Sequence, residues 1–191
     1  MRVIAGSARR LILKTAEGME TRPTTDRIKE TLFNMLQNRL YGCTFLDLFA
    51  GSGAIGIEAL SRGAKWAVFI DSGRRPVACI RENLKTTRLE EGAQVLACEV
   101  SAGLKRLSEE GAAFDFIFMD PPYGHGLEKQ VLEQLKNSPL VGGHTEIIVE
   151  ADLKTDFSWA GGLGYEIIRQ KIYKTNQHVF IKKKESEEEE L

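Results

Sequence analysis

The sequence holds only three cysteines, five prolines and two tryptophans in 191 residues. No apolar run approaches the roughly 18 to 20 residues that a membrane-spanning helix needs. Cys43, Cys79 and Cys98 form no C-x-x-C pair and fall in stretches that read as strand, helix or strand edge. They read as buried reduced thiols and support neither zinc nor disulfides. The opening residues Met1-Arg2-Val3-Ile4-Ala5-Gly6 lack the apolar core of a secretory signal, so a cytoplasmic location with no membrane association is expected. The length excludes a large multidomain assembly. With 42% hydrophobic, 28% charged and 8% aromatic residues, the composition is that of an ordinary globular protein and excludes disordered or fibrous classes.

A net charge of either sign is also lacking: 26 basic residues face 27 acidic ones. The balance is uneven along the chain. The last seven residues carry five glutamates and no base, which leaves residues 1–184 at +4. Residues 1–42 also stand at +4, with eight Lys/Arg against four acids, so positive charge is concentrated at the front. Residues 185–191 read as an acidic, solvated, disordered tail, and Lys182-Lys183-Lys184 as a solvated strand edge.

Between Met1 and Leu13, short apolar runs flank Gly6-Ser7-Ala8-Arg9-Arg10, which suits a small hairpin with a basic turn. Ile28, Leu32, Met35 and Leu36 then mark an amphipathic helix, with Thr24, Thr25 or Asp26 as its cap. From Thr44 onward, short apolar runs alternate with helical segments, the pattern of a parallel sheet covered on both faces. Strands are expected at Thr44–Leu48, Trp66–Ile70, Gln94–Cys98, Phe114–Met119 and Glu146–Glu150, with helices starting near Ala54, Arg74, Ala102 and Leu127. Tyr165–Tyr173 and His178–Lys183 suit a closing antiparallel hairpin. Trp66 and Trp159 read as packing residues.

Two segments carry chemistry. The first, Phe45-Leu46-Asp47-Leu48-Phe49-Ala50-Gly51-Ser52-Gly53-Ala54-Ile55-Gly56, runs strand, turn, helix and contains G-x-G-x-x-G. Glycines there let the backbone turn sharply and approach a ligand beside a helix N-terminus. Asp71 ends the next strand, where a carboxylate can accept both hydroxyl protons of a ribose. A dinucleotide dehydrogenase shares these features. Asp47 argues against it, because a carboxylate inside the first strand suits a cationic ligand such as S-adenosylmethionine, which brings an ammonium and a sulfonium.

The second segment argues more strongly. Asp120-Pro121-Pro122-Tyr123 follows the fourth strand at the edge where open α/β sheets bind ligands. The amine of a nucleobase is a poor nucleophile because its lone pair is delocalised into the ring. Hydrogen bonds to the Asp120 side chain and the Pro121 carbonyl would draw that lone pair toward a methyl donor, and the two prolines stiffen the acceptors in advance. Tyr123 offers a face on which the base can stack, worth about 1 to 3 kcal/mol. His125, between Gly124 and Gly126, reads more simply as an exposed loop residue than as a base.

With these blocks in place the chain resembles a class I S-adenosylmethionine-dependent amino-methyltransferase. Met1-Arg2-Val3-Ile4-Ala5-Gly6, Arg22-Pro23-Thr24-Thr25-Asp26-Arg27-Ile28-Lys29-Glu30 and Asp47-Leu48-Phe49-Ala50-Gly51-Ser52-Gly53 together are similar to the RsmD family, bacterial enzymes that methylate guanine N2 in 16S ribosomal RNA. The similarity extends over residues 1–184. It implies a Rossmann-like, seven-stranded, mostly parallel sheet with helices on both faces, plus a small N-terminal β-hairpin and helix. Residues 1–42 would be an RNA-gripping extension, 43–184 the methyltransferase domain and 185–191 the tail. The cofactor would be S-adenosyl-L-methionine, held by Asp47, Phe49, Ala50, Gly51, Ser52 and Gly53 at its methionine end and by Asp71 at its ribose. Glu99 stands near the adenine, where the family usually has an aspartate. Asp120, Pro121, Pro122 and Tyr123 would hold the guanine.

Arg9, Arg10, Arg22 and Arg27 are the candidate phosphate contacts. The expected partner is 16S rRNA or the small ribosomal subunit, and the protein is expected to be a monomer with no metal. The alternatives are a DNA adenine-N6 or cytosine-N4 methyltransferase, for which the chain leaves little room for a target-recognition domain, and a non-catalytic RNA-binding assembly factor.

Overall fold

The structure, a computed structural model, describes residues 1–15 and 26–184. The expected tail and the expected contact at Arg22 lie outside the described residues, as do Thr24 and Thr25. Seven strands form one sheet: β1 (Thr44–Leu48), β2 (Trp66–Asp71), β3 (Ala93–Ala97), β4 (Phe114–Met119), β5 (Val141–Asp152), β6 (Tyr165–Ile172) and β7 (Asn176–Lys183). Their order is β3-β2-β1-β4-β5-β7-β6. The first five are parallel, and β7 enters antiparallel between β5 and β6. The helices are α1 (Asp26–Leu36), α2 (Ala54–Ser61), α3 (Arg74–Thr87), α4 (Val100–Glu109) and α5 (Leu127–Leu135).

Alternation along the strands divides the core in two. Leu46, Leu48, Ile117, Met119, Ile147 and Val149 face α4 and α5, where Leu104, Leu107, Leu132 and Leu135 complete one cluster. Phe45, Phe69, Phe116, Phe118 and Ile148 face the other way and pack with α1, α2, α3 and the N-terminal segment. Phe45 stands between Phe33 and Phe116, with ring centroids 6.3 and 6.1 Å away. Trp66 packs against the first cluster, and Trp159 lies against Phe157. Cys43 and Cys79 are buried and Cys98 is half-buried. Burial pushes the Cys43 thiol up to about 12.

The N-terminal hairpin is present in a reduced form. Val3 and Leu13 donate to the carbonyls of Leu11 and Met1, but only one bridge, Arg2 with Ile12, replaces the two expected strands. The reason is competition for the backbone. The N–H groups of Ile4 and Ala5 donate to the Glu58 carboxylate at 2.8 and 3.0 Å, and that of Ala8 to the Ser61 hydroxyl at 3.0 Å. Glu58 also pairs with Lys29 at 3.1 Å and Arg62 at 2.8 Å, and both Glu58 and Lys29 are fully buried. A buried carboxylate of this kind requires the several donors it has here.

Other differences are local. β5 starts at Val141 rather than Glu146, because Thr145 bonds the Phe114 carbonyl and the Gly142 N–H while the register with β4 shifts. β7 starts two residues early, at Asn176, since Tyr173 donates to the Asn176 carbonyl and closes a tighter turn.

Candidate active site

The strand order reverses between β1 and β4, and at such a point the loops leaving the carboxyl ends diverge and open a crevice. Four loops meet there in sheet order: Glu99 after β3, Asp71 at the end of β2, residues 49–53 after β1, and residues 120–123 after β4. The sheet therefore brings together every expected cofactor and catalytic residue.

The turn after β1 is built by unusual backbone angles. Phe49, Gly51 and Gly53 have φ values of 56°, 57° and 75°. For Phe49 this left-handed geometry is strained, a feature that concentrates at ligand sites. The Gly53 N–H donates to the Ala50 carbonyl at 2.7 Å and closes the turn. A Cβ on Gly53 would stand 3.2 Å from Ile80, and one on Gly56 would stand 2.4 Å from the Phe69 ring. The last glycine of the motif thus serves helix-to-strand packing, while the first two shape the cradle.

Asp71 is half-buried and clasps two loops: Oδ2 accepts from the Gly51 N–H at 2.9 Å and Oδ1 from the Gly73 N–H at 2.8 Å. Each oxygen has a second lone pair with which a ribose hydroxyl can be met. Asp47 lies beneath the turn, 2% exposed, with Oδ2 accepting from the Gly56 N–H at 2.9 Å. Burial pushes its carboxyl up to about 8, against the opposing pull of that hydrogen bond and with a small further push from Asp71. It acts on the turn from behind rather than from an open wall.

Glu99 is exposed at the start of α4. Asp120 is half-buried, Pro121 buried, Pro122 exposed and Tyr123 half-buried, and His125 is exposed between two glycines of positive φ. Among the described residues no group of three His, Cys, Asp or Glu is placed to hold a metal ion. No helix there is long and apolar enough to cross a membrane.

The arginines lie on two elements, the N-terminal segment and α1, which are joined by Arg2 contacting Asp26 and by Lys29 donating to the Arg2 carbonyl. Arg9 and Arg10, both exposed, flank a turn seated on Ser61 at the C-terminal end of α2. That end is about 12 Å from the glycine turn, from the rise of an eight-residue helix. Arg27 is exposed at the opposite end of α1 from Arg39, which pairs with Glu146 in β5.

Sequence reasoning missed Asn83. This residue, 1% exposed, falls on the buried stripe of α3 between Ile80 and Leu84. Its Nδ2 donates to the Ser52 carbonyl at 2.9 Å and the Lys14 carbonyl at 3.0 Å, while Oδ1 accepts from the Lys14 N–H at 2.8 Å. One amide thus ties the glycine turn to the N-terminal segment. The available signal was a lone polar residue in an apolar helical stripe.

The profile of the family described as Conserved hypothetical protein 95 matches residues 1–182. A relative in Bacillus subtilis, provisionally named rRNA methyltransferase YlbH, is 38% identical over 156 residues, covering 82% of this chain and 85% of its own. Ribosomal RNA small subunit methyltransferase D of Escherichia coli K12 is 34% identical over 154 residues, 81% of this chain and 76% of its own. A solved Escherichia coli structure, provisionally named methyltransferase yhhF, superposes with a TM-score of 0.81 at 29% identity, covering 96% of this chain and 98% of its own.

Proposed function

Since the chain belongs to the RsmD family, described as Conserved hypothetical protein 95, we propose that it transfers a methyl group from S-adenosyl-L-methionine to the exocyclic N2 amine of a guanine in 16S rRNA. The observation that carries this reading is the meeting, in one crevice, of a glycine turn clasped by Asp71 with the rigid Asp120-Pro121-Pro122-Tyr123 segment.

The residues present fit the cofactor. The open backbone at Gly51 and Gly53 suits close approach of its methionine end. Asp71 suits its ribose, and the acidic Asp47 beneath the turn suits its positive charge. When bound, the cofactor supplies an electrophilic methyl group on sulfur. The protein does the rest by position. Asp120 and the Pro121 carbonyl accept hydrogen bonds from the target amine, drawing its lone pair out of conjugation, and Tyr123 stacks on the extracted base. The proton released after transfer passes to Asp120 or to water. Glu99 stands at the adenine side. Arg9, Arg10 and Arg27, all exposed, supply phosphate contacts to the RNA.

The test is transfer of labelled methyl to unmethylated small ribosomal subunits and to their extracted RNA, followed by nucleoside mass spectrometry. N2-methylguanosine is the expected product. Absence of label in either RNA, with the cofactor still bound, overturns the reading and directs the search to DNA amines or to a non-catalytic assembly role.

A further inference from the structure

The N-terminal segment, α1 and the end of α2 enclose a cleft of about 520 Å³, lined by residues 4–6 together with Arg9, Glu30, Asn34, Gln37 and Arg62. That volume is ordinary for a ligand site. The cleft stands at the opposite end of α2 from the glycine turn, about 12 Å along the helix.

Arg62 is the fixed element of its wall, with a side chain only 8% exposed. Nε donates to Glu58 Oε1 at 2.8 Å, and the guanidinium lies over the Phe33 ring, 5.3 Å from its centroid. These contacts hold the fork still but use one of its five N–H donors. The two Nη groups meet no acceptor among the described residues and are not sealed from solvent, so their four donors remain for an occupant of the cleft.

The charge of Arg62 is also only partly met, because Glu58 is shared with Lys29 at 3.1 Å and with the N–H groups of Ile4 and Ala5. Nor do the last carbonyls of α2 oppose an anion. Those of Glu58 and Ala59 accept from the Arg62 N–H, that of Leu60 from Gly63 and that of Ser61 from Ser7.

Around the fork stand exposed Arg9, the amides of Asn34 and Gln37, and one acid, Glu30. Residues 30, 34 and 37 follow the spacing of one helix face. Two arginines and two amides against one carboxylate favour an anion with several acceptor oxygens, and the planar fork suits phosphate.

We propose that this cleft binds a backbone phosphate of the RNA remote from the methylated base, with Arg62 as its fixed contact. The inference rests on RNA being the substrate, since a chain of phosphates can reach both the cleft and the crevice.

The test uses extracted, unmethylated small-subunit RNA and, separately, inorganic phosphate. Contact is read from the NMR signal of the Arg62 Nε–H, and its consequence from KM for methyl transfer to the RNA. Both probes are expected to move the signal. Glu30→Gln is expected to lower KM about threefold and Gln37→Glu to raise it about threefold. Both positions are exposed and leave the Glu58 cluster in place. Arg62→Lys, which loses the fork, is expected to raise KM about tenfold. Glu109→Gln, at an exposed position on α4, is expected to leave KM as it is. An Arg62 signal that RNA does not move overturns the proposal, and movement by phosphate alone assigns the cleft to a free phosphate compound instead. Equal shifts in KM from Glu30→Gln and Glu109→Gln also overturn it. Each of these results leaves the methyltransferase reading standing. Absence of wild-type transfer to RNA overturns that reading, while the Arg62 signal still decides whether RNA occupies the cleft.

Discussion

The side-chain amide of Asn83 donates to the carbonyl of Ser52 at 2.9 Å, so a residue three turns into α3 holds the middle of the glycine turn. The same amide pairs with both backbone groups of Lys14, and the turn and the N-terminal segment share one anchor. Replacing Asn83 by alanine removes the partner of the Ser52 carbonyl and of the Lys14 N–H, and leaves the Lys14 carbonyl with the Cys79 thiol at 3.2 Å. The expected cost is about 1 to 3 kcal/mol of stability for an unsatisfied buried group, read by urea denaturation, together with weaker cofactor binding by calorimetry. Full retention of cofactor affinity would mean that the turn holds its shape without this anchor.

The proposed function gives Asp71 and Asp120 separate roles. Asp71→Ala releases both Gly51 and Gly73, and is expected to raise the cofactor Kd by at least about tenfold, with turnover recoverable at high cofactor concentration. Asp120→Ala is expected to lower kcat by about 10²-fold or more while leaving that Kd nearly unchanged. Equal loss of cofactor binding in both variants contradicts the division.

Asp47 makes both stability and binding depend on pH. Its carboxyl stands near 8 in the folded protein, far above the ordinary range, so between about pH 4 and 8 the unfolded chain has lost a proton that the folded chain keeps. Stability from this group is therefore fully present below that window and falls as pH rises through it. Asp47→Asn is expected to flatten this slope in denaturation measured at pH 5 and pH 8. A cationic ligand favours the charged form, so wild-type cofactor affinity is expected to rise from pH 6 to pH 8 with release of a proton. Calorimetry in buffers of different ionisation enthalpy measures that release, and its absence removes Asp47 from the electrostatics of binding.

Arg9 and Arg10 on the N-terminal turn and Arg27 on α1 can be tested separately. Arg9→Ala with Arg10→Ala is expected to reduce the slope of log K against log salt by about 1.4, at about 0.7 per phosphate on single-stranded RNA, with kcat on bound RNA unchanged. Arg27→Ala is expected to lower RNA affinity and the salt slope by about half as much as the double variant. An unchanged salt slope in the double variant places the RNA track on another face.

Apolar runs were enough to locate the strands, because a strand buried on both faces is written in consecutive residues such as Phe116-Ile117-Phe118-Met119. The glycine turn and Asp-Pro-Pro-Tyr were readable for a related reason: each is a contiguous segment whose backbone is shaped by its own residues, glycines in one and two prolines in the other. Lys29 and Glu58 look like solvated helix charges, yet they are 29 residues apart in the chain and fully buried against one another. Asn83 meets Ser52 from 31 residues away. The Glu150–His178 pair depends on the register between β5 and β7, which no periodicity encodes. Composition can state that such groups exist, but only the assembled sheet can pair them.

β7 is the last strand of the described chain and lies inside the sheet, between β5 and β6. During vectorial synthesis the loops after β1 to β4 emerge first, while β5 keeps an unpaired margin until the β6–β7 hairpin arrives. His178 arrives with that hairpin. The β6–β7 hairpin therefore both closes the exposed margin of β5 and brings His178 to Glu150, so that a nascent chain acquires its glycine turn well before it acquires its finished sheet.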